Sequence, residues 1–195
     1  MNFDRIEQLG ERLYFTLDDA AAVLGVGRAS ARVACSRYVR QGLFVRVKND
    51  FYLLKRNLKN LKQNEFLRLA NFVQTPSYVS FLTALSYREV STQVVRGVCE
   101  SDCIKRSQKV DIDGKLLNFY RLKKELYFGF EKANGIFIAT TEKALADSFY
   151  LMSLGKYSLD LNALDIARID MVKLHKIIKV FPAKTKVLVK ALCKI

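Results

Sequence analysis

Histidine is almost missing from this chain of 195 residues: His175 is the only one, and it sits in an apolar, lysine-rich helical pattern. Cysteine is scarce as well. Of Cys35, Cys99, Cys103 and Cys193 only Cys99 and Cys103 are close, at the spacing of one helix face, and no second pair accompanies them. A structural zinc site needs a fuller set of ligands at defined spacings, so no metal is expected. Free thiols in a reducing cytoplasm are the expected state. With two prolines and nine glycines the composition excludes a repeat fibre and argues against disorder. No run reaches membrane-spanning length, and Met1 to Gly10 holds no apolar core of a signal peptide. There is no phosphate-binding glycine loop, no nucleophile motif and no metal-carboxylate set. Neither an enzyme nor a cofactor is therefore expected.

Acid is the other shortage, and it is local. The chain carries 33 Lys and Arg against 19 Asp and Glu, a formal charge of +14. From Arg28 to Lys62 ten basic residues face one acid, Asp50, and from Met171 onward there are seven lysines and no acid. Such a balance draws a polyanion: DNA, RNA, an acidic protein or an anionic membrane. Half of the residues are apolar, enough for one large or two small cores.

What is present near the N-terminus is specific. Residues 3–13 can form a short first helix. Thr16 precedes Leu17-Asp18-Asp19, a capping-box pattern with Asp in the acidic position, and opens a helix through Ala20, Ala21, Ala22, Val23 and Leu24. Gly25 and Gly27 supply a tight turn. A second helix is expected from Arg28 to Gln41, ended by Gly42. Its spacing puts Ala31, Ala34, Cys35 and Tyr38 on a core face. Arg32, Ser36, Arg37 and Arg40, with Ala29 and Val33, spread over the other side. Leu43 to Val47 and Phe51 to Leu54 then flank the polar turn Lys48-Asn49-Asp50, which reads as a hairpin. Helix, glycine turn, helix and hairpin in this order predict a winged helix-turn-helix. Arg28, Ser30, Arg32, Ser36, Arg37 and Arg40 are the candidate groove residues, and Arg46 and Lys48 the candidate phosphate contacts of the wing.

Beyond the hairpin the texture changes. Residues 57–75 read as an amphipathic connecting helix that ends before Pro76. Tyr78 to Val90 reads as a buried helix, and 104–112 and 116–123 as strands around Asp113-Gly114, a hairpin signal. Gly135 to Ala139 is a short buried strand, and Thr140 or Thr141 caps the helix that follows. Two lysine-rich helices separated by Pro182 close the chain. On them Lys173, Lys176, Lys179, Lys186 and Lys190 form a surface for DNA, for an acidic partner, or for solvent. The expected organisation is α+β: residues 1–56 a winged helix-turn-helix, 57–75 a connecting helix, and 76–195 a mixed α/β domain ending in helices.

Two stretches carry a family resemblance. Pro76-Ser77-Tyr78-Val79-Ser80 leading to Ala84-Leu85-Ser86-Tyr87 resembles the opening of the second domain of AbiEi-type antitoxins. Ile138-Ala139-Thr140-Thr141-Glu142-Lys143-Ala144-Leu145-Ala146-Asp147 is similar to that family's signature stretch. The resemblance extends over essentially the whole chain. One departure stands in the hairpin, where many members have a glycine and this chain has Asp50 before Phe51. The resemblance implies a bacterial, cytoplasmic antitoxin of a type IV toxin–antitoxin system, of a kind linked to abortive phage infection. Such a protein represses its own operon through the N-terminal domain, on inverted repeats of double-stranded DNA. Its C-terminal domain counters a nucleotidyltransferase-like toxin. The implied partners are thus DNA and a toxin, with no membrane, and monomers pairing on DNA are compatible with it. Within the signature, Glu142, Lys143 and Asp147 are accounted for as a helix start and an i,i+4 ion pair rather than as a catalytic set. The alternative to the whole reading is a stand-alone winged-helix regulator whose C-terminal domain dimerises or senses a ligand.

Overall fold

The computed structural model describes residues 3–93 and 96–193 and shows a mixed α+β protein that divides into two compact units. The first unit is Met1–Leu69 with Ile112–Gly114; the second is Ala70–Asp111 with Lys115–Ile195.

In the first unit the order is α1 (Phe3–Leu9), β1 (Phe15–Thr16), α2 (Leu17–Leu24), α3 (Arg28–Arg40), β2 (Phe44–Lys48) and β3 (Phe51–Leu54). Local chemistry sets each boundary. The Asp19 amide donates to Thr16 Oγ1 at 3.0 Å and the Thr16 amide donates to Asp19 Oδ2 at 2.8 Å, which completes the capping box of α2. Gly25 stops that helix at φ 68°, with its own amide and that of Val26 donating to the carbonyls of Ala22 and Ala21. Gly42, at φ 70°, ends the chain's passage through α3 in the same way, through Gly42 to Val39 and Leu43 to Tyr38. The three strands form an antiparallel sheet in the order β1-β3-β2, and the hairpin bulges between Arg46 and Lys48. Phe15, Leu17, Ala31, Cys35, Tyr38, Phe44 and Tyr52 fill the core beneath it. Phe44 is its aromatic hub, with ring centroids 5.0 Å from both Phe15 and Tyr38.

The expected connecting helix is two helices, α4 (Lys55–Lys59) and α5 (Gln63–Val73). The break has a local cause. Asn60 closes α4, and the Lys62 amide donates to Glu65 Oε2 at 2.9 Å, which caps a fresh helical start. The division between the units falls inside α5, after Leu69.

The second unit is built on a six-stranded sheet of order β6-β7-β5-β4-β9-β8, where β4 is Ser77–Val79, β5 Val98–Cys103, β6 Gln108–Ile112, β7 Lys115–Arg121, β8 Phe130–Ala133 and β9 Ile136–Ala139. The sheet is mixed: β4 runs antiparallel to β5 and parallel to β9, and β5 runs parallel to β7. The Asp113-Gly114 turn has both residues at positive φ, 51° and 88°, as a two-residue hairpin turn requires. Helices α6 (Phe81–Tyr87), α7 (Thr141–Ser153), α8 (Met171–Ile178) and α9 (Ala183–Cys193) complete the unit. Helix α7 packs on α6, α8, α9 and β9, and every residue from Glu142 to Leu151 is buried.

Two expectations are corrected here. The stretch 78–90 is not one helix: Ser77–Val79 is drawn into the sheet between β5 and β9, and only Phe81–Tyr87 is helical. Cys99 and Cys103 do not share a helix face. They lie in β5, paired along its length with β7, and both thiols are buried and free. Four residues along a strand span roughly 13 Å, too far for a disulfide. The side chain of Cys193 lies outside the described residues.

Candidate nucleic-acid interface

Helix α3 buries Ala31, Cys35 and Tyr38 against the first core, so its opposite side is fixed outward. That outward side carries Ala29, Arg32, Val33, Ser36, Arg37 and Arg40, all exposed. Ser30 and Arg28, in the first turn, are exposed as well. Burial pushes the Cys35 thiol up to about 11, so it stays protonated and acts as a small apolar group in the seat of the helix. Arg32, Val33, Ser36, Arg37 and Arg40 line a shallow hollow of about 430 Å³ on the outer face.

The basic residues divide by their partners. Arg28 pairs with Asp18 and, at 2.8 Å, with Asp50 at the tip of the hairpin. Arg32 also reaches Asp50, at 3.2 Å. Arg37 lies over the ring of Tyr38 at 5.4 Å from its centre. Among the described residues Arg37 and Arg40 have no ion pair. On the hairpin, Arg46 donates to Asn49 Oδ1 at 2.6 Å, and the Lys48 ammonium sits 4.9 Å from the centre of the Phe51 ring. Asp50 takes φ 59°, the left-handed conformation that a glycine would adopt there. Asp50 therefore makes the turn a glycine would make and adds a carboxylate there. Sequence reasoning missed that carboxylate's role as the holder of Arg28 and Arg32. Its signal was visible as the lone acid in a basic stretch.

The chain matches no known family model. No curated protein matches it either.

In the second unit Lys143, Asp147, Tyr78 and Ser80 form a closed polar cluster. Lys143 and Asp147, one turn apart on α7, are ion-paired with no solvent exposure. Asp147 Oδ2 also accepts from Tyr78 at 3.0 Å and from Ser80 at 2.9 Å, and the Lys143 ammonium donates to the Tyr78 hydroxyl at 3.0 Å. The rings of Tyr78, Phe128 and Phe181 surround that ammonium at 5.2–5.5 Å. Asp102, from β5, completes the cluster; it is fully buried and neither of its carboxyl oxygens meets a hydrogen-bond donor. Burial, then the neighbouring Asp147 carboxylate, pushes Asp102 well above the ordinary carboxylate range. Glu142 leaves the cluster and accepts from the Asp170 amide at 3.2 Å, at the start of α8.

The C-terminal lysines are spread along α8 and its C-terminal end, and along α9. Lys173, Lys176, Lys179 and Lys190 are exposed, Lys186 is half-buried, and Lys173 pairs with Asp170 at 3.4 Å. Beside α8 an open cavity of about 650 Å³ is lined mainly by apolar groups, among them Leu145, Phe149, Leu159, Ile169, Met171 and Leu174. No helix among the described residues is long and apolar enough to cross a membrane.

Proposed function

We propose that this chain is a DNA-binding autorepressor whose N-terminal unit is a winged helix-turn-helix, and an antitoxin that counters a nucleotidyltransferase-like toxin. One observation carries the DNA part. A helix held by Ala31, Cys35 and Tyr38 turns Arg32, Ser36, Arg37 and Arg40 outward, beside a hairpin that bears Arg46 and Lys48. An exposed helix with arginines and small residues fits a major groove, and a basic hairpin beside it fits the flanking phosphates. The antitoxin part is supported by the likeness of residues 138–147 to the AbiEi signature.

Binding to the DNA upstream of its own gene, against an unrelated duplex across a salt series, tests the reading. Arg37→Ala or Arg40→Ala is expected to weaken the specific complex by about 1–3 kcal/mol. Lys48→Ala is expected to weaken all duplexes alike, because a phosphate contact carries no sequence. If both arginine variants retain full affinity and preference, α3 does not read DNA. Growth rescue on co-expression with a neighbouring nucleotidyltransferase-like gene tests the antitoxin role.

The cavity beside α8 favours a second reading, a regulator whose C-terminal unit takes an apolar ligand. A neighbourhood without a toxin gene, together with ligand-dependent affinity for the operator, would select it.

A further inference from the structure

Among the described residues Val33 is the most exposed of the large apolar side chains, at 71 %. A single exposed valine on a helix is ordinary. Val33 differs in its position. Ala29, Val33, Ser36 and Arg40 follow the i, i+4, i+7, i+11 spacing of one helical stripe, opposite the buried Ala31, Cys35 and Tyr38. Arg32 and Arg37 flank the stripe on either side and, with Val33, Ser36 and Arg40, line the hollow on this face. The nearest neighbours of Val33 along the stripe, Ala29 and Ser36, are short, so a flat edge can approach the valine methyls closely. One flanking cation, Arg32, is held toward the hairpin tip by Asp50. Valine is also a poor residue for a solvent-facing helix position, since its branched side chain loses rotamer freedom there.

We propose that Val33 is a specificity-determining residue that reads the 5-methyl group of a thymine in the major groove. The proposal rests on the DNA-binding reading of α3. The chemistry is direct: of the four bases only thymine presents a methyl group in that groove, and an apolar side chain is its complement. Arg37 and Arg40, on the same face and without ion pairs among the described residues, are placed to take guanine O6 and N7 at neighbouring positions. The preferred site then combines a thymine with one or more guanines within a single helix footprint.

The test uses the full chain and a duplex selected from a random pool. Each thymine of that duplex is replaced in turn by deoxyuridine, which lacks only the methyl group. For the native protein, one replacement per half-site is expected to reduce affinity about fourfold, the equivalent of ~0.8 kcal/mol for one buried carbon at 1.4 kcal/mol per factor of ten. Val33→Ala is expected to bind the thymine and deoxyuridine duplexes equally. Because residue 33 is exposed, that variant leaves the core intact, and an unchanged melting temperature confirms it. If no single replacement affects the native protein, or if Val33→Ala remains as sensitive as the native chain, Val33 does not read the methyl although DNA recognition by α3 stands. If no preferred sequence emerges from the pool at all, the DNA-binding reading falls and the assignment of Val33 falls with it.

Discussion

Lys143 and Asp147 show what a residue pair can and cannot announce. Their i,i+4 spacing is legible, and the ion pair it implies is present. Their complete burial is not legible, because it depends on Phe128, Phe181 and Tyr78 closing over the ammonium from distant parts of the chain. Asp102 gave no signal at all in a strand of polar residues. Its raised value has a definite sign for stability. In the unfolded chain it titrates near 3.9; in the folded protein it holds its proton to higher pH. Asp102 therefore favours the fold fully below the unfolded value, and this contribution is lost as pH rises toward the folded value. Asp102→Asn replaces the acid with a neutral group that can donate to Asp147. At pH 7 this variant is expected to be more stable than the native protein, because the native chain must take up a proton at Asp102 on folding and the variant need not. The gap is expected to close toward pH 4. Urea unfolding at both pH values measures it, and an equal gap at the two would contradict the assignment.

At the scale of elements, the first unit was the more legible. Thr16, Gly25 and Gly42 punctuate it through interactions within a few residues, so helix, turn, helix and hairpin can be read in order. The strand β1 was not legible, being two residues long and defined by its pairing with β3. In the second unit β5 was missed for a related reason. Val98–Cys103 contains Glu100, Ser101 and Asp102, and tertiary pairing with β4 and β7 outweighs their weak strand preference. The hairpin tip offers a test of how its acid governs α3. Asp50→Gly keeps the left-handed turn, removes one negative charge beside α3, releases Arg32 and leaves Arg28 paired with Asp18 alone. Binding to unrelated duplexes should tighten, and the dependence of log K on log salt should steepen by about one, at roughly 0.9 per added phosphate contact. An unchanged slope would mean that Asp50 does not restrain these arginines in the complex.

For the molecule as a whole, the charge of +14 is the one property visible before any folding. It predicts attraction to a polyanion without saying where; the structure exposes part of it on the outward face of α3 with its hairpin and part on the lysines on and just after α8. These play separable roles if sequence is read by α3. Charge reversal at Lys176 and Lys179 together is expected to lower the association rate with every duplex at low ionic strength, and to leave the preference between duplexes unchanged. Stopped-flow binding at two salt concentrations checks both parts. A changed preference would place the C-terminal lysines among the base-reading groups. The sequence drew one helix from 57 to 75, whereas the chain breaks after Lys59 and restarts as a helix at Gln63.

Cys35 lies on the buried face of α3 with no exposed surface, its thiol held in the protonated, unreactive form. It is consequently silent toward alkylating reagents for as long as the helix stays seated. That silence is a clock. Each modification of Cys35 marks an interval in which α3 has lifted from its bed, so the rate of labelling reports the free energy of that local opening. A duplex bound to the far side of the helix as proposed would lengthen the intervals between such events without ever touching the sulfur.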